Sequence, residues 1–131
     1  MATHSTKTIK KFLNNSYRAK LKKHIQGFAQ DRKLSGKRVQ VYRNHSGKAV
    51  VVHRGTQGIH DVLTDAKLAL GSDKNKRFAH AAKIQKKAET KYGASNITTL
   101  GHSLGGALAE RTAHKDSKVI TLNKAAVPSD I

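Results

Sequence analysis

The sequence contains no cysteine, no tryptophan and a single proline among its 131 residues. Without cysteine it forms no disulfide bond and no thiolate metal site, so a chain of this length depends on its own packed core. Aromatic residues make up only 5% of it, which disfavours a nucleic-acid binder that stacks bases on aromatic rings. No apolar run reaches membrane-spanning length, and the N-terminus lacks the apolar stretch of a signal peptide. These absences predict one small, soluble, intracellular domain.

Acidic residues are also scarce. The sequence has 26 lysines and arginines but only 8 aspartates and glutamates, which gives a formal net charge of +18. The electrostatic field of so many positive charges attracts negatively charged molecules, so we predict an anionic partner. Three classes of partner remain open at this point: nucleic acid, an acidic protein, or an anionic membrane surface.

Hydrophobic spacing divides the single domain into a basic N-terminal helical segment, residues 1–37, and an α/β core, residues 38–131. In the first segment the spacing predicts a short basic helix over Thr8–Asn14, which the polar residues after it end. It predicts a second helix from Ser16, a plausible N-cap. The apolar residues of that second helix recur at helical spacing: Tyr17, Leu21, Ile25 and Phe28.

The second segment alternates strands and helices. Arg38–Arg43 and Lys48–His53 flank a turn-forming cluster and predict an antiparallel hairpin, whose second strand is central because it is apolar on both faces. The elements predicted further along are a helix from Ile59, a long basic helix that ends at Tyr92, and a strand over Lys118–Leu122. The buried stripe of the long helix is predicted at Phe78, Ala81, Ile84, Ala88 and Tyr92. This order predicts an α/β layer of parallel strands preceded by the hairpin.

The stretch ITTLGHSLGGALAE, residues 97–110, has the pattern of a strand, a tight turn and a helix. Residues 101–105 satisfy G-x-S-x-G, which holds Ser103 in a strained turn with its hydroxyl group exposed. A side chain two residues before or after the serine would collide with neighbouring backbone, which explains Gly101 and Gly105. A phosphate-binding turn is the alternative, but the stretch lacks the lysine and spacing of such a turn. The pattern therefore predicts a nucleophile elbow.

Two segments, VVVHRGTQGIHDVLTD and ITTLGHSLGGALAE followed by VITLN, resemble the class 3 lipases over roughly residues 39–123. The resemblance implies a reduced α/β-hydrolase core: a mostly parallel sheet with an N-terminal hairpin and flanking helices. It implies that Ser103 is a nucleophile that forms an acyl-enzyme. It also implies that Thr56 and the backbone N–H of Leu104 donate hydrogen bonds to the oxyanion.

The remaining members of the catalytic triad do not match. In class 3 lipases an Asp and then a His follow the nucleophile, whereas only residues 104–131 follow Ser103 here. His114 and Asp116 are too close in sequence, since His114 lies about 16 Å away along the same helix. The histidines upstream are predicted to pack at a strand end, to lie exposed on a helix, and to join the basic face: His53, His60 and His80. An active enzyme would take its base and acid from residues outside this sequence.

Two functions of different classes remain open. One is a lipase-like serine ester hydrolase that acts on an acyl ester or triacylglycerol, with this chain as part of the catalytic domain. The other is a non-catalytic basic structural or binding protein on a degenerate hydrolase fold. A virion or minor capsid component of a large DNA virus, in contact with nucleic acid or an acidic protein shell, is an example of the second. We expect no cofactor and no metal ion in either case, and an intracellular soluble or virion-associated location.

Overall fold

The described part of the chain forms one β-sheet with α-helices packed against it. The computed structural model describes residues 5–55, 72–102 and 104–122, and for residues 72–77 and 104 it describes the backbone alone. Within these ranges the helices are α1 (Thr6–Asn15), α2 (Ser72–Tyr92) and α3 (Leu104–Thr112). The strands are β1 (His24–Ile25), β2 (Phe28–Gln30), β3 (Val39–Arg43), β4 (Ala49–His53), β5 (Ile97–His102) and β6 (Lys118–Leu122). A short 3-10 helix, Ala94–Asn96, connects α2 to β5.

The six strands form one mixed sheet in the order β1-β2-β3-β4-β5-β6. Strands β1 to β4 pair antiparallel, and β4, β5 and β6 pair parallel. All five residues of β4 are buried, as expected for a strand that is apolar on both faces and has a neighbour on each side. The predicted hairpin, its central second strand and the parallel strands that follow are therefore confirmed.

The segment after α1 differs from the prediction. The first predicted helix is confirmed as α1, which ends at Asn15, but the helix predicted from Ser16 is wrong. The chain instead forms the hairpin of β1 and β2, in which Ile25 pairs with Phe28. Its two-residue turn has positive φ at Gln26 (49°) and Gly27 (84°), the geometry that matches the twist of paired strands. Pairing of β2 with β3 then adds this hairpin to the sheet.

Helices cover both faces of the sheet. On one face α1 packs over Tyr42, and the ring of Phe12 meets the rings of Phe28 and Tyr42 edge-on at centroid distances of 5.6 and 5.5 Å. Phe12 is only 1% exposed, and burying a side chain of this kind contributes roughly 1.5–3 kcal/mol. On the other face α2 and α3 pack over the alternate residues of the same strands, including Val41 and Val51. The sheet is thus the middle layer of three.

The buried stripe predicted for α2 is confirmed. Ala81 and Ala88 are buried and the three larger residues of the stripe are partly buried against the sheet. Gly93 follows the helix with φ of 89°, a conformation that ends helices at little cost when the residue is glycine. Gln85, a fully buried polar residue on the same face, was not predicted. The helix predicted from Ile59 and the tail after Leu122 lie outside the described residues.

Candidate active site

The carboxyl ends of β4 and β5 lie side by side. The two strands are parallel, and His53 at the end of β4 pairs with Gly101 in β5. The described residues at the ends of these strands, His53–Gly55 and Gly101–His102, therefore meet at one edge of the sheet. Crevices at the carboxyl ends of parallel strands are the usual place for ligand sites in α/β proteins.

One residue separates β5 from α3. The strand ends at His102 and the helix begins at Leu104, so the predicted strand and the predicted helix lie on either side of position 103. Backbone N–H groups in the first turn of a helix have no acceptor within the helix, and Leu104 is in that turn. Ser103 and Thr56 themselves lie outside the described residues, and the roles of all three residues stay predictions.

The glycines at this edge are in backbone contact. A Cβ atom on Gly105 would lie 2.0 Å from the carbonyl oxygen of His53, and one on Gly101 would lie 2.1 Å from that of Gly105. A Cβ atom on Gly55, the residue before Thr56, would lie 2.0 Å from the carbonyl oxygen of His102. Since the colliding atoms are backbone atoms, no side-chain rotation relieves such a contact. Only glycine allows the two segments to approach this closely.

A tyrosine that is distant in sequence also contacts this edge of the sheet. The hydroxyl group of Tyr17, in the connection between α1 and β1, lies 2.9 Å from Nδ1 of His102. The two rings are perpendicular, with centroids 5.9 Å apart. The guanidinium carbon of Arg54 lies 5.6 Å from the centroid of the Tyr17 ring, within range of a cation-π interaction. The helical spacing of Tyr17 in the sequence predicts a position on a helix face and does not indicate a role in a site.

Beneath the edge, His53 belongs to a buried polar network. Its Nε2 atom lies 2.9 Å from Oε1 of Gln85, in α2. The amide nitrogen of Gln85 donates to Glu89 and to Thr99, each at 3.0 Å. Because that nitrogen is engaged, the Gln85 carbonyl faces His53 and accepts a hydrogen bond from Nε2. His53 is fully buried and packs at the strand end, as predicted.

The other described histidines have different surroundings. His80 is exposed on α2, as predicted for the basic face. His114 is exposed beyond the end of α3, with Nδ1 3.5 Å from the carboxylate of Asp116. The full length of α3 thus separates His114 from Ser103, as the spacing predicted. His60 lies outside the described residues.

The described ranges offer no group of histidine, aspartate and glutamate side chains arranged to hold a metal ion. In the same part of the chain, no helix combines the length and the apolar character needed to cross a membrane.

A mixed sheet between two layers of helices makes this an α/β protein. A family model described as phospholipase-like, the Tle-like phospholipase domain, matches residues 13–129. The chain belongs to this family. No curated protein and no solved structure matches the chain. The match confirms the predicted lipase-like character at the level of a phospholipase-like family.

Proposed function

We propose that the protein is a serine phospholipase, which hydrolyses a carboxylic ester of a phospholipid through an acyl-enzyme on Ser103. The observation that carries the proposal is the backbone contact of Gly55 with His102 and of Gly105 with His53. The first of these contacts joins the residues that directly precede Thr56 and Ser103. Family membership supports the choice of a phospholipid as the ester.

Each proposed role follows from the class 3 lipase pattern of the sequence. A general base takes the hydroxyl proton of Ser103 as its oxygen attacks the ester carbonyl, a tetrahedral oxyanion forms, and the base later gives that proton to the leaving alcohol. The N–H of Leu104 and the donors of Thr56 stabilise that oxyanion, each by about 3–4 kcal/mol in comparable enzymes. The intermediate then expels the lysophospholipid alcohol, and water hydrolyses the acyl-enzyme to the fatty acid and free Ser103. In this proposal the sheet and its helices are a reduced α/β-hydrolase core.

The proposal assigns no general base among the described residues. Nε2 of His53 is directed at Gln85, Nδ1 of His102 at Tyr17, and His114 lies beyond the far end of α3. The base and the acid of the triad therefore come from residues outside the described ranges.

Labelling with a fluorophosphonate probe tests the nucleophile directly, because the probe reacts with an activated serine. We expect the wild type and a Ser46→Ala control to be labelled, since Ser46 is an exposed turn serine. We expect Ser103→Ala to remain unlabelled and to lose phospholipid hydrolysis by roughly 10⁴- to 10⁶-fold. Circular dichroism of all three proteins checks that each is folded.

A folded wild type that is neither labelled nor active on phospholipid would contradict the proposal. That outcome would favour the sequence-based alternative, a non-catalytic basic protein of the virion type on the same fold. The net charge of +18 supports the alternative, which predicts binding to nucleic acid or acidic protein without ester hydrolysis.

A further inference from the structure

A cationic cavity of about 660 Å³ opens beside the candidate active site. Residues of four segments line it: the α1–β1 connection, β2, the loop before β3, and the residue after β4. Four of the lining residues carry a positive charge: Arg18, Lys20, Lys37 and Arg54. Among the described residues that line it there is no carboxylate. Such a cavity attracts a small anion and holds it by several charges at once.

The walls of the cavity are held in place by hydrogen bonds. The amide nitrogen of Gln40, a fully buried residue of β3, donates to the carbonyl oxygens of Gly36 and Lys37 at 3.0 and 2.8 Å. Elsewhere in the lining, Nε of Arg18 donates to the carbonyl oxygen of Lys20 at 3.2 Å. These hydrogen bonds fix the backbone that carries Lys20 and Lys37, which lowers the entropy lost when a ligand binds.

The cavity and the candidate active site share residues. Tyr17 lines the cavity, and its hydroxyl group contacts His102, which directly precedes Ser103. Arg54 also lines the cavity, and it stands two positions before Thr56. The cavity therefore lies next to described residues that are near both Ser103 and Thr56 in the sequence. In a phospholipid the phosphate is only a few covalent bonds from the ester carbonyls.

We propose that the cavity binds the phosphodiester headgroup of the phospholipid substrate, an inference that rests on the proposed function. Arginine matches the oxygens of a phosphate in a two-point contact, and lysine adds a compact charge. Arg54 is half-buried whereas Lys20 and Lys37 are exposed, so Arg54 interacts with the phosphate in the lower dielectric. The headgroup phosphate thereby selects phospholipids over neutral acylglycerols.

Paired charge variants test the cavity. Lys20→Gln with Lys37→Gln removes two charges from its wall, and Lys115→Gln with Lys118→Gln removes two exposed charges at the amino end of β6. We measure kcat/KM on a short-chain phosphatidylglycerol and on the matching diacylglycerol. We expect the ratio of the two values to fall about tenfold in the cavity variant and to stay unchanged in the control. An equal change in both double variants would overturn the proposal, because net charge alone would then explain it.

Calorimetric titration with glycerophosphoglycerol, the deacylated headgroup, measures binding without catalysis. We expect the Ser103→Ala protein to bind it, and the additional cavity substitutions to weaken this binding about tenfold. Binding of inorganic phosphate without binding of the headgroup would overturn the proposal in favour of a free-phosphate site.

The two experiments separate the two proposals. Headgroup binding that depends on the cavity, in a protein without esterase activity, would contradict the proposed function and support the cavity. Equal hydrolysis of both lipids by the wild type and the cavity variant would overturn the cavity alone.

Discussion

The absence of a side chain at Gly105 allows two segments of the candidate site to pack closely together. We predict that Gly105→Ala destabilises the protein by about 3 kcal/mol or more, because its Cβ would lie 2.0 Å from the carbonyl oxygen of His53. Denaturation in urea measures the loss. Gly36→Ala is the matched control, since a Cβ there has no atom within 4 Å and the expected change is below about 1 kcal/mol. Equal stability of the two variants would show that the backbone contact is unimportant.

The glycines two positions before and after Ser103 could be predicted from the sequence. The contacts of Tyr17 and Gln85 could not. The contact of Gly101 is local, since the serine turn brings it against the backbone of Gly105, whereas Gly105 meets the backbone of His53 in the neighbouring strand. Tyr17 contacts His102 across 85 positions of sequence, and no local pattern indicates such a contact. Gln85 is a residue type that is mostly exposed, and it is buried here because His53, Glu89 and Thr99 satisfy its amide group.

Among the elements, the region after α1 shows why helical spacing alone misled the prediction. Ile25 and Phe28 satisfy the three-residue spacing of a helix, but they also flank a two-residue turn and pair directly across it. Gly27, with its positive φ, was the local indication of that hairpin. Pairing of β2 with β3 stabilises these short strands, and this tertiary contribution is absent from the local sequence. Longer periodic elements such as α2 were predicted correctly.

The C-terminal end of α2 is attached to the turn after β2 through one buried carboxylate. Asp31 accepts hydrogen bonds from Nζ of Lys91 at 2.7 Å and from the hydroxyl group of Tyr92 at 2.5 Å. The backbone N–H groups of Lys33 and Leu34 donate to its other oxygen. Burial alone would raise the pKa of Asp31, but these hydrogen bonds outweigh it and hold the pKa below its usual value.

We predict that this cluster makes stability depend on pH in the acid range. The pKa of Asp31 is lower in the folded state, so its contribution is complete above the unfolded pKa of about 4 and is lost as pH falls through the folded value. At neutral pH Asp31→Asn should cost about 1–3 kcal/mol, because it removes the charged acceptor. Its deficit relative to the wild type should shrink between about pH 5 and pH 2. Chemical denaturation across this range measures both effects.

Asp116→Asn is the control for that experiment. Asp116 has a side chain that is 60% exposed, so its substitution should change stability by less than about 0.5 kcal/mol. A constant difference between the wild type and Asp31→Asn at every pH would contradict the assignment of the acid-dependent stability to Asp31.

At the scale of the whole molecule, the excess of positive charge predicts how the protein meets a lipid surface. We expect it to bind vesicles of phosphatidylglycerol and not those of neutral phosphatidylcholine, because each lysine or arginine near an anionic surface contributes about 1 kcal/mol. Binding should weaken at least tenfold from about 0.1 M to about 1 M salt, as the Debye length falls from about 10 Å to about 3 Å. Co-sedimentation with the vesicles measures it.

Salt-insensitive binding, or equal binding to both kinds of vesicle, would contradict an electrostatic attachment. Duplex DNA in the same assay tests another of the three partner classes. Retention of DNA without retention of anionic vesicles would favour nucleic acid as the partner.

The long connection between β4 and β5 determines when the candidate site forms during folding. Gly55 and His102 meet only after the chain from residue 54 to residue 96 has closed back onto the sheet, and contacts so distant in sequence form late in folding. In the proposed mechanism, the donors of Thr56 therefore join Ser103 and Leu104 only once the parallel pair of β4 and β5 has formed. We therefore expect the activity of the proposed nucleophile to depend on the completed pairing of β4 with β5.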